Sequence, residues 1–254
     1  MKADRPRYGI IGYGRFGELV VRYLEAYGRL VVCDPGRQVP FPLQNGSLEA
    51  AASARAVILA VPIRMLEDTL QSLRPHLTPG TVVVDVASVK SLPMQWMETH
   101  LPPDVDYVGT HPLFGPDSSR TGIRGHRIVV VPGRIARSRL ERMYRLLDRL
   151  GLRIISTTAE EHDRAMARTQ ALTHWLGRSL TAFGVGPESI DTHGYRLLAQ
   201  VAEWASRDSR ELFQDMHQFN PFTQDVRARF RDALTGLDAE LSSLTANPAP
   251  EDET

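Results

Sequence analysis

The sequence predicts an α/β chain: a doubly wound, mostly parallel sheet over residues 1–156, an all-helical domain over 157–245 and a disordered, Pro-rich acidic tail at 246–254. Three observations carry this. From residue 8 to about 155, short β-branched runs alternate with helical patterns, as parallel strands joined by crossover helices require. The first of those runs leads straight into three closely spaced glycines. After about Thr157 the strand-like runs vanish, and long segments with apolar residues at helix spacing take over.

The first strand is expected at Tyr8–Ile11 and runs into Gly12-Tyr-Gly-Arg-Phe-Gly17. Gly12 permits a tight turn, Gly14 lets backbone amides approach a phosphate with no Cβ in the way, and Gly17 lets the next helix sit close to the strand. The start of that helix, about 15–27, offers free N–H donors and a positive dipole end to an anion. This is the Rossmann-type pyrophosphate loop, with Arg15 and Phe16 taken as cofactor contacts. Gly28 stops the helix, and the second strand, Leu30–Cys33, ends in Asp34, 22 residues past Gly12. A carboxylate at that tip accepts both ribose hydroxyls of the adenosine half of NAD and repels a 2′-phosphate. Arg37 suits the extra phosphate of NADP, so NAD is preferred and NADP stays open. Asp34 equally opens the Asp34-Pro35-Gly36 turn, which suits both cofactors.

Further strands are expected at Ala56–Ala60, Thr81–Asp85, Asp106–Gly109, Arg127–Val131 and Arg153–Ser156, with helices at about 47–53, 64–74, 89–99 and 134–150. The Ala56–Ala60 run is apolar throughout, as a central strand must be; Val61 and Pro62 at its tip are placed at the cofactor, and Pro62 opens the next helix. Beyond 157 the helices are expected at about 159–183, 187–206, 208–217 and 219–245. Segments such as Leu197–Trp204 carry more apolar residues than one surface stripe accounts for, which predicts packing against a second subunit and a homodimer.

Composition narrows the function classes. Basic and acidic residues number 30 each, so nothing favours nucleic acid or an acidic membrane surface as partner. The single cysteine, Cys33, rules out an intrachain disulfide framework. No apolar run approaches the roughly 20 residues that span a bilayer, and the first residues lack the apolar stretch of a signal peptide, which predicts a cytoplasmic protein.

Three segments carry chemistry beyond the glycines. Val84-Asp-Val-Ala-Ser-Val-Lys90 places a hydroxyl, Ser88, and an ammonium, Lys90, at the carboxyl end of a strand, where open sheets bind ligands; Ser88 is equally placed to cap a helix. In Val108-Gly-Thr-His-Pro-Leu-Phe-Gly-Pro-Asp117, glycines and prolines flank His111, which predicts a rigid loop holding an imidazole that takes a proton near neutral pH. A surface histidine with no chemical task is the bland alternative. In Glu161-His-Asp-Arg-Ala-Met-Ala-Arg-Thr-Gln-Ala-Leu-Thr-His174, His162, Gln170 and His174 fall near multiples of the helix turn and predict a polar face closing the mouth of the crevice. No accompanying cluster of carboxylates or thiols supports a metal there, and none is expected.

Taken together and in this order, these motifs, with His193-Gly-Tyr-Arg196, closely resemble the prephenate and arogenate dehydrogenases of tyrosine biosynthesis over nearly the whole chain. The resemblance implies NAD(P)-dependent oxidative decarboxylation of a cyclohexadienol bearing two carboxylates. By it, His111 is the catalytic histidine, Ser88 the hydroxyl that orients it and meets the substrate's C4 oxygen, and Arg196 the carboxylate-binding arginine. His174 is then a second substrate contact, Asp117 an acidic group at the pocket mouth, and Lys90 structural or a weak electrostatic aid. Prephenate, arogenate and a 4-amino-4-deoxy analogue remain alternative substrates. No segment is left over for a mutase domain ahead of residue 8 or a regulatory domain after residue 245, and the helical domain is short for such a family. A hydroxyacid dehydrogenase would need a catalytic lysine in the helical domain, where 162–174 offers arginines and histidines; a dinucleotide sensor would not need Ser88, His111 and Arg196 together.

Overall fold

The computed structural model describes residues 5–40, 43 and 45–245; the expected tail at 246–254 lies outside them. Its strands are β1 (Arg7–Ile11), β2 (Arg29–Cys33), β3 (Ala56–Leu59), β4 (Val82–Asp85), β5 (Asp106–Pro112), β6 (Arg127–Pro132) and β7 (Arg153–Ser156). They form one sheet in the order β2-β1-β3-β4-β5-β6-β7, parallel except for the β5–β6 pair. Five helices cover it: α1 (Arg15–Leu24), α2 (Leu48–Ala52), α3 (Leu66–Leu73), α4 (Ser91–His100) and α5 (Arg137–Arg149).

The period-2 alternation of each strand feeds two cores. Val57 and Leu59 point to the side of α2, α3 and α4, where Ala51, Leu66, Leu70, Leu73 and Met97 are fully buried. Ile58, between them, points to the other side with Ile10, Val32 and Val21 of α1, while Val108, Ile128 and Val130 meet Leu147 of α5 farther along that side. Between α1 and α5 this second side stays open as an apolar groove of about 670 Å³, lined by Tyr8, Tyr23, Val84, Phe114 and Met143 among others.

Beyond β7 the chain is helical: α6 (Ala159–Met166), a π-turn at Ala167–Ala171, α7 (Leu172–Phe183), α8 (His193–Ser206), α9 (Arg210–Gln218) and α10 (Thr223–Thr245). A capping box opens α6, with Thr158 Oγ1 accepting from Glu161 N and Glu161 Oε2 from Thr158 N, each at 3.2 Å. Three expected helices differ from this. The 159–183 helix is interrupted by the π-turn, whose extra residue per turn shifts the faces of α6 and α7 relative to each other. The 187–206 helix starts only at His193, because Thr192 caps it by accepting from Tyr195 N. The 219–245 helix starts at Thr223, after the turn in which Asn220 Oδ1 accepts from Phe222 N.

The helical layer is fixed to the carboxyl ends of the strands. Arg64, just after β3, donates through Nε to Asp215 Oδ1 of α9 at 2.7 Å, and Trp96 of α4 meets Phe219 edge to face at 5.9 Å. Among the described residues no helix is long and apolar enough to cross a membrane.

Candidate active site

Strand register places the site. Ile11 pairs with Leu59, Leu59 with Asp85, and Asp85 with Gly109, so β1, β3 and β4 end level with one another at the carboxyl end of the sheet, while β5 runs on to Pro112. At the head of that row Gly12 adopts φ +94°, and a Cβ on it would stand 2.5 Å from the Ala60 carbonyl oxygen and 3.2 Å from Val61 Cγ1. A Cβ on Gly17 would stand 2.2 Å from the Gly12 oxygen, so this helix start can lie against the strand only without one. Gly14, the N-cap of α1, faces open space. A bare helix N-terminus behind two glycines that cannot be replaced is a cradle for a pyrophosphate, and the residues present fit a dinucleotide.

Around the cradle, Asp34 Oδ2 accepts from Tyr13 N at 2.6 Å and Oδ1 from Gly36 N at 2.8 Å. The carboxylate therefore shapes its own turn while standing at the end of β2. Arg37 lies 3.8 Å from Glu18, a long surface contact. Arg15 pairs with Asp117 at 2.6 Å, and Arg120 holds the other Asp117 oxygen at 2.9 Å; those two arginines keep the carboxyl below its ordinary range. This contact bridges the glycine loop to the segment after His111. Phe16 lines the apolar groove, and Pro62 caps the short 3₁₀ turn Ile63–Met65 above β3.

His111 is not on a loop. It is the second-last residue of β5, opposite Val129 of β6, because the antiparallel return of β6 extends the strand past Gly109 to Pro112. Thr110 and Pro112 line the apolar groove, so His111 projects from the opposite side of the sheet. There it is 5% exposed. Its Nδ1 lies 2.9 Å from Nε2 of His162, whose Nδ1 lies 2.8 Å from Asp163 Oδ1. Asp163 also accepts from Lys90 N at 2.7 Å and Ser91 N at 2.8 Å, and its carbonyl accepts from Asn220 Nδ2. Burial pushes the His111 imidazole well below its ordinary range, and a positive charge on His162 or Lys90 adds to the effect. Burial acts against the Asp163 carboxylate, but the hydrogen bonds from His162, Ser91 and Lys90 outweigh it and hold its pKa down.

Beneath this chain Lys90 Nζ and Asp85 Oδ1 make a salt bridge with both side chains 0% exposed. Desolvation pushes the Asp85 carboxyl up and the Lys90 ammonium down, and each group counters the shift of the other. Ser88 does not cap α4: the cap position is Lys90, and the buried Ser88 Oγ has no hydrogen-bond partner among the described residues. An orphaned buried hydroxyl in the segment after β4, at the end of the sheet that carries the glycine cradle, is set to receive a ligand's polar group.

Comparison with known proteins points to one group of dehydrogenases. The profile described as "Prephenate dehydrogenase, nucleotide-binding domain" matches residues 36–156, and that described as "TYRAAT1-like, C-terminal domain" matches residues 179–252. The chain is 28% identical to arogenate dehydrogenase 2, chloroplastic, of Arabidopsis thaliana, over 94% of this chain and 71% of that protein. It is 27% identical to the probable arogenate/prephenate dehydrogenase of Methanocaldococcus jannaschii, over 97% of this chain and 58% of that protein. Residues 36–156 thus match the nucleotide-binding domain of prephenate dehydrogenases, and nearly the whole chain is similar to arogenate and prephenate dehydrogenases. Its fold is also that of the Aquifex aeolicus prephenate dehydrogenase solved with hydroxyphenyl propionate and NAD+, with a TM-score of 0.76 at 18% identity, covering 97% of this chain and 94% of that one.

The residues expected from the family resemblance in the helical layer are more scattered. Gln170 sits in the π-turn, half-buried. His174, on α7, is buried against Trp204, with ring centroids 4.6 Å apart, and its Nε2 is 3.6 Å from Asp208 Oδ2. Its Nδ1 has no hydrogen-bond partner among the described residues, and burial lowers its pKa. Arg196, in the first turn of α8, is 59% exposed and pairs with Asp191 at 3.0 Å. Neither is in hydrogen-bond contact with the His111 chain. His162, which the periodicity assigns to a polar face at the crevice mouth, is buried instead, as is its neighbour Asp163. The capping box turns them inward, under Lys90 and against His111. Asp215, the buried acceptor that ties α9 to Arg64, carries no local signal in the sequence. Among the described residues no group of three His, Cys, Asp or Glu is placed to hold a metal ion.

Proposed function

We propose that this chain is an NAD-dependent prephenate dehydrogenase that converts prephenate to 4-hydroxyphenylpyruvate, with His111 as the general base. One observation carries the reading: a buried imidazole and an orphaned hydroxyl stand at the ends of β5 and β4, on the sheet edge that presents the glycine cradle. When bound, the nicotinamide supplies a two-electron hydride acceptor. His111 borrows the proton of the C4 hydroxyl as hydride departs from C4. Loss of the ring carboxylate as CO₂ then leaves its electron pair in the ring and makes it aromatic. His111 returns the proton to the C4 oxygen, so no proton is consumed overall. Ser88 Oγ donates to or accepts from that same oxygen and holds it against the imidazole. Because aromatisation drives the reaction, the chain's main task is orientation, worth several kcal/mol.

Arg196 is assigned to a substrate carboxylate, which its guanidinium grips through two parallel hydrogen bonds, and His174 and Gln170 to further substrate contacts. Asp34 is assigned to the adenosine ribose, which favours NAD over NADP. Apolar side chains exposed on the helical layer support a homodimer: Phe183, Ile190, Leu197, Leu198 and Trp204 on and near α8, and Leu237 and Leu244 on α10.

The test is an assay of the purified chain with prephenate, arogenate or the 4-amino-4-deoxy analogue, each with NAD and NADP, at the absorbance band of the reduced nicotinamide. Prephenate with NAD is expected to give the highest kcat/KM, and His111→Asn to lower kcat by about 10²-fold or more with cofactor affinity unchanged. Preference for another substrate would redirect the assignment, and a near-normal kcat in the variant would remove His111 from the chemistry.

A further inference from the structure

Nδ1 of His111 does not face the cofactor edge; it is taken up by His162, and His162 by Asp163. Hydrogen positions follow from the acceptor at the end of the chain. Both Asp163 oxygens accept backbone N–H groups, Oδ1 from Lys90 and Oδ2 from Ser91, so the side chain is an acceptor-only carboxylate. Nδ1 of His162 must then carry the hydrogen directed at Oδ1, which leaves the Nε2 of a neutral His162 as a lone pair. Facing a lone pair at 2.9 Å, Nδ1 of His111 must carry a hydrogen in turn. The remaining nitrogen of His111, Nε2, is therefore the unprotonated one, the form a general base needs.

We propose that His162 and Asp163 are positioning residues for His111: they select its Nδ1–H tautomer, aim Nε2 at the substrate oxygen, and take up positive charge while His111 holds the borrowed proton. This rests on the reading of His111 as general base. When Nε2 accepts the hydroxyl proton, the Nδ1–H of His111 is shared with or passed to Nε2 of His162, whose own Nδ1–H stays on Asp163. The cation then stands against a carboxylate instead of alone in a buried pocket, and the proton retraces the same path when it returns. The other charged groups facing the pair are Lys90 and Asp85 of the β4–α4 connection, which offset each other. Asp163 belongs to α6 and holds the backbone of Lys90 and Ser91, so the helical layer sets the tautomer of a residue on the sheet.

Two measurements on the full chain test this. With ¹⁵N-labelled histidine, long-range ¹H–¹⁵N correlation of the wild type is expected to show His111 and His162 protonated at Nδ1, and His111 unprotonated at Nε2. His111 found protonated on Nε2 overturns the proposal. In the second, His162→Phe, which keeps a ring in the buried site, is expected to lower kcat about 10-fold or more. KM and NAD affinity should stay within about twofold, and the acid limb of the kcat profile should move to lower pH, since imidazolium at His111 loses its acceptor. A purely structural role would leave that limb in place, and an unmoved limb with near-normal kcat overturns the proposal. If His162→Phe does not fold, His162→Gln is measured against the same outcomes. Failure of the wild type to oxidise any of the three substrates would sink the functional reading, while the ring spectra would still judge the tautomer.

Discussion

Replacing Lys90 by Met isolates the buried pair under the site. Methionine copies the length of the lysine stem, so little packing is lost, and the change leaves Asp85 fully buried without its cation. Among the described residues the Ala87 N–H, 2.9 Å from Oδ1, and a charge on His162 still favour the carboxylate, while Oδ2 has no hydrogen-bond partner. Asp85 then escapes by taking a proton. At pH 7 that costs about 1.4 kcal/mol for each pH unit above the unfolded carboxyl value of about 3.9, or roughly 4 kcal/mol. The sign follows directly. A carboxyl whose folded pKa is raised binds a proton that the unfolded chain lacks, so the penalty grows as pH rises and fades towards pH 4. At pH 5 it should be only about 1.5 kcal/mol. Urea unfolding of wild type and Lys90→Met at pH 7, 6 and 5 reads this directly, and adding Asp85→Asn should remove the slope because an amide does not titrate. A penalty below about 1 kcal/mol at pH 7, or one independent of pH, would refute the reasoning.

Other expectations follow from the same geometry. Asp34→Ser should raise KM for NAD by about 10-fold or more, since a charged hydrogen bond is worth about 1.5–3 kcal/mol, and should shift the NAD:NADP ratio of kcat/KM towards NADP. An unchanged ratio would leave Asp34 as a turn residue only. Arg196→Gln should raise KM for the dicarboxylate while barely changing the urea midpoint, because its exposed pair with Asp191 contributes at most about 1 kcal/mol. An unchanged KM would place the carboxylate elsewhere. Burial lowers the pKa of His111, His174 and His217, the last to about 4, so the unfolded chain binds these protons first on acidification. Stability should therefore fall as pH drops through about 6.5, by at most about 1.4 kcal/mol per unit for each histidine, and His217→Gln should flatten the slope; urea midpoints that rise on acidification would contradict this.

What was legible in the sequence was what local sterics dictate. Gly12 and Gly17 are forced by a positive φ and a backbone contact that any Cβ would break, and the central strands are apolar because one side packs under α2, α3 and α4 while the other lines the apolar groove between α1 and α5. The parts misread depend on partners far along the chain. Glycine and proline around His111 read as a loop, yet β6 returns antiparallel and makes that stretch a strand; no local pattern records the pairing of His111 with Val129. Likewise Ser88 and Lys90 resemble the start of a helix, and only the fold shows that Lys90 is buried on Asp85 while Ser88 Oγ is left without a hydrogen-bond partner among the described residues.

The deepest omission is Asp163, adjacent to a histidine the periodicity did single out. Its function lies in reaching the backbone of residues 90 and 91, more than 70 positions upstream, and in orienting His162 against His111. A helix-face argument sees His162 as part of a polar face at the crevice mouth and gives Asp163 no role. The capping box rotates that first turn so that exposed Glu160 and Glu161 face outward and His162 and Asp163 face the sheet. The same local signal that starts the helix thus also delivers its buried charge to the active site. A carboxylate that satisfies two backbone amides and one imidazole at once costs little to bury, so the helical layer can dock on the sheet through the very residues that prepare the base.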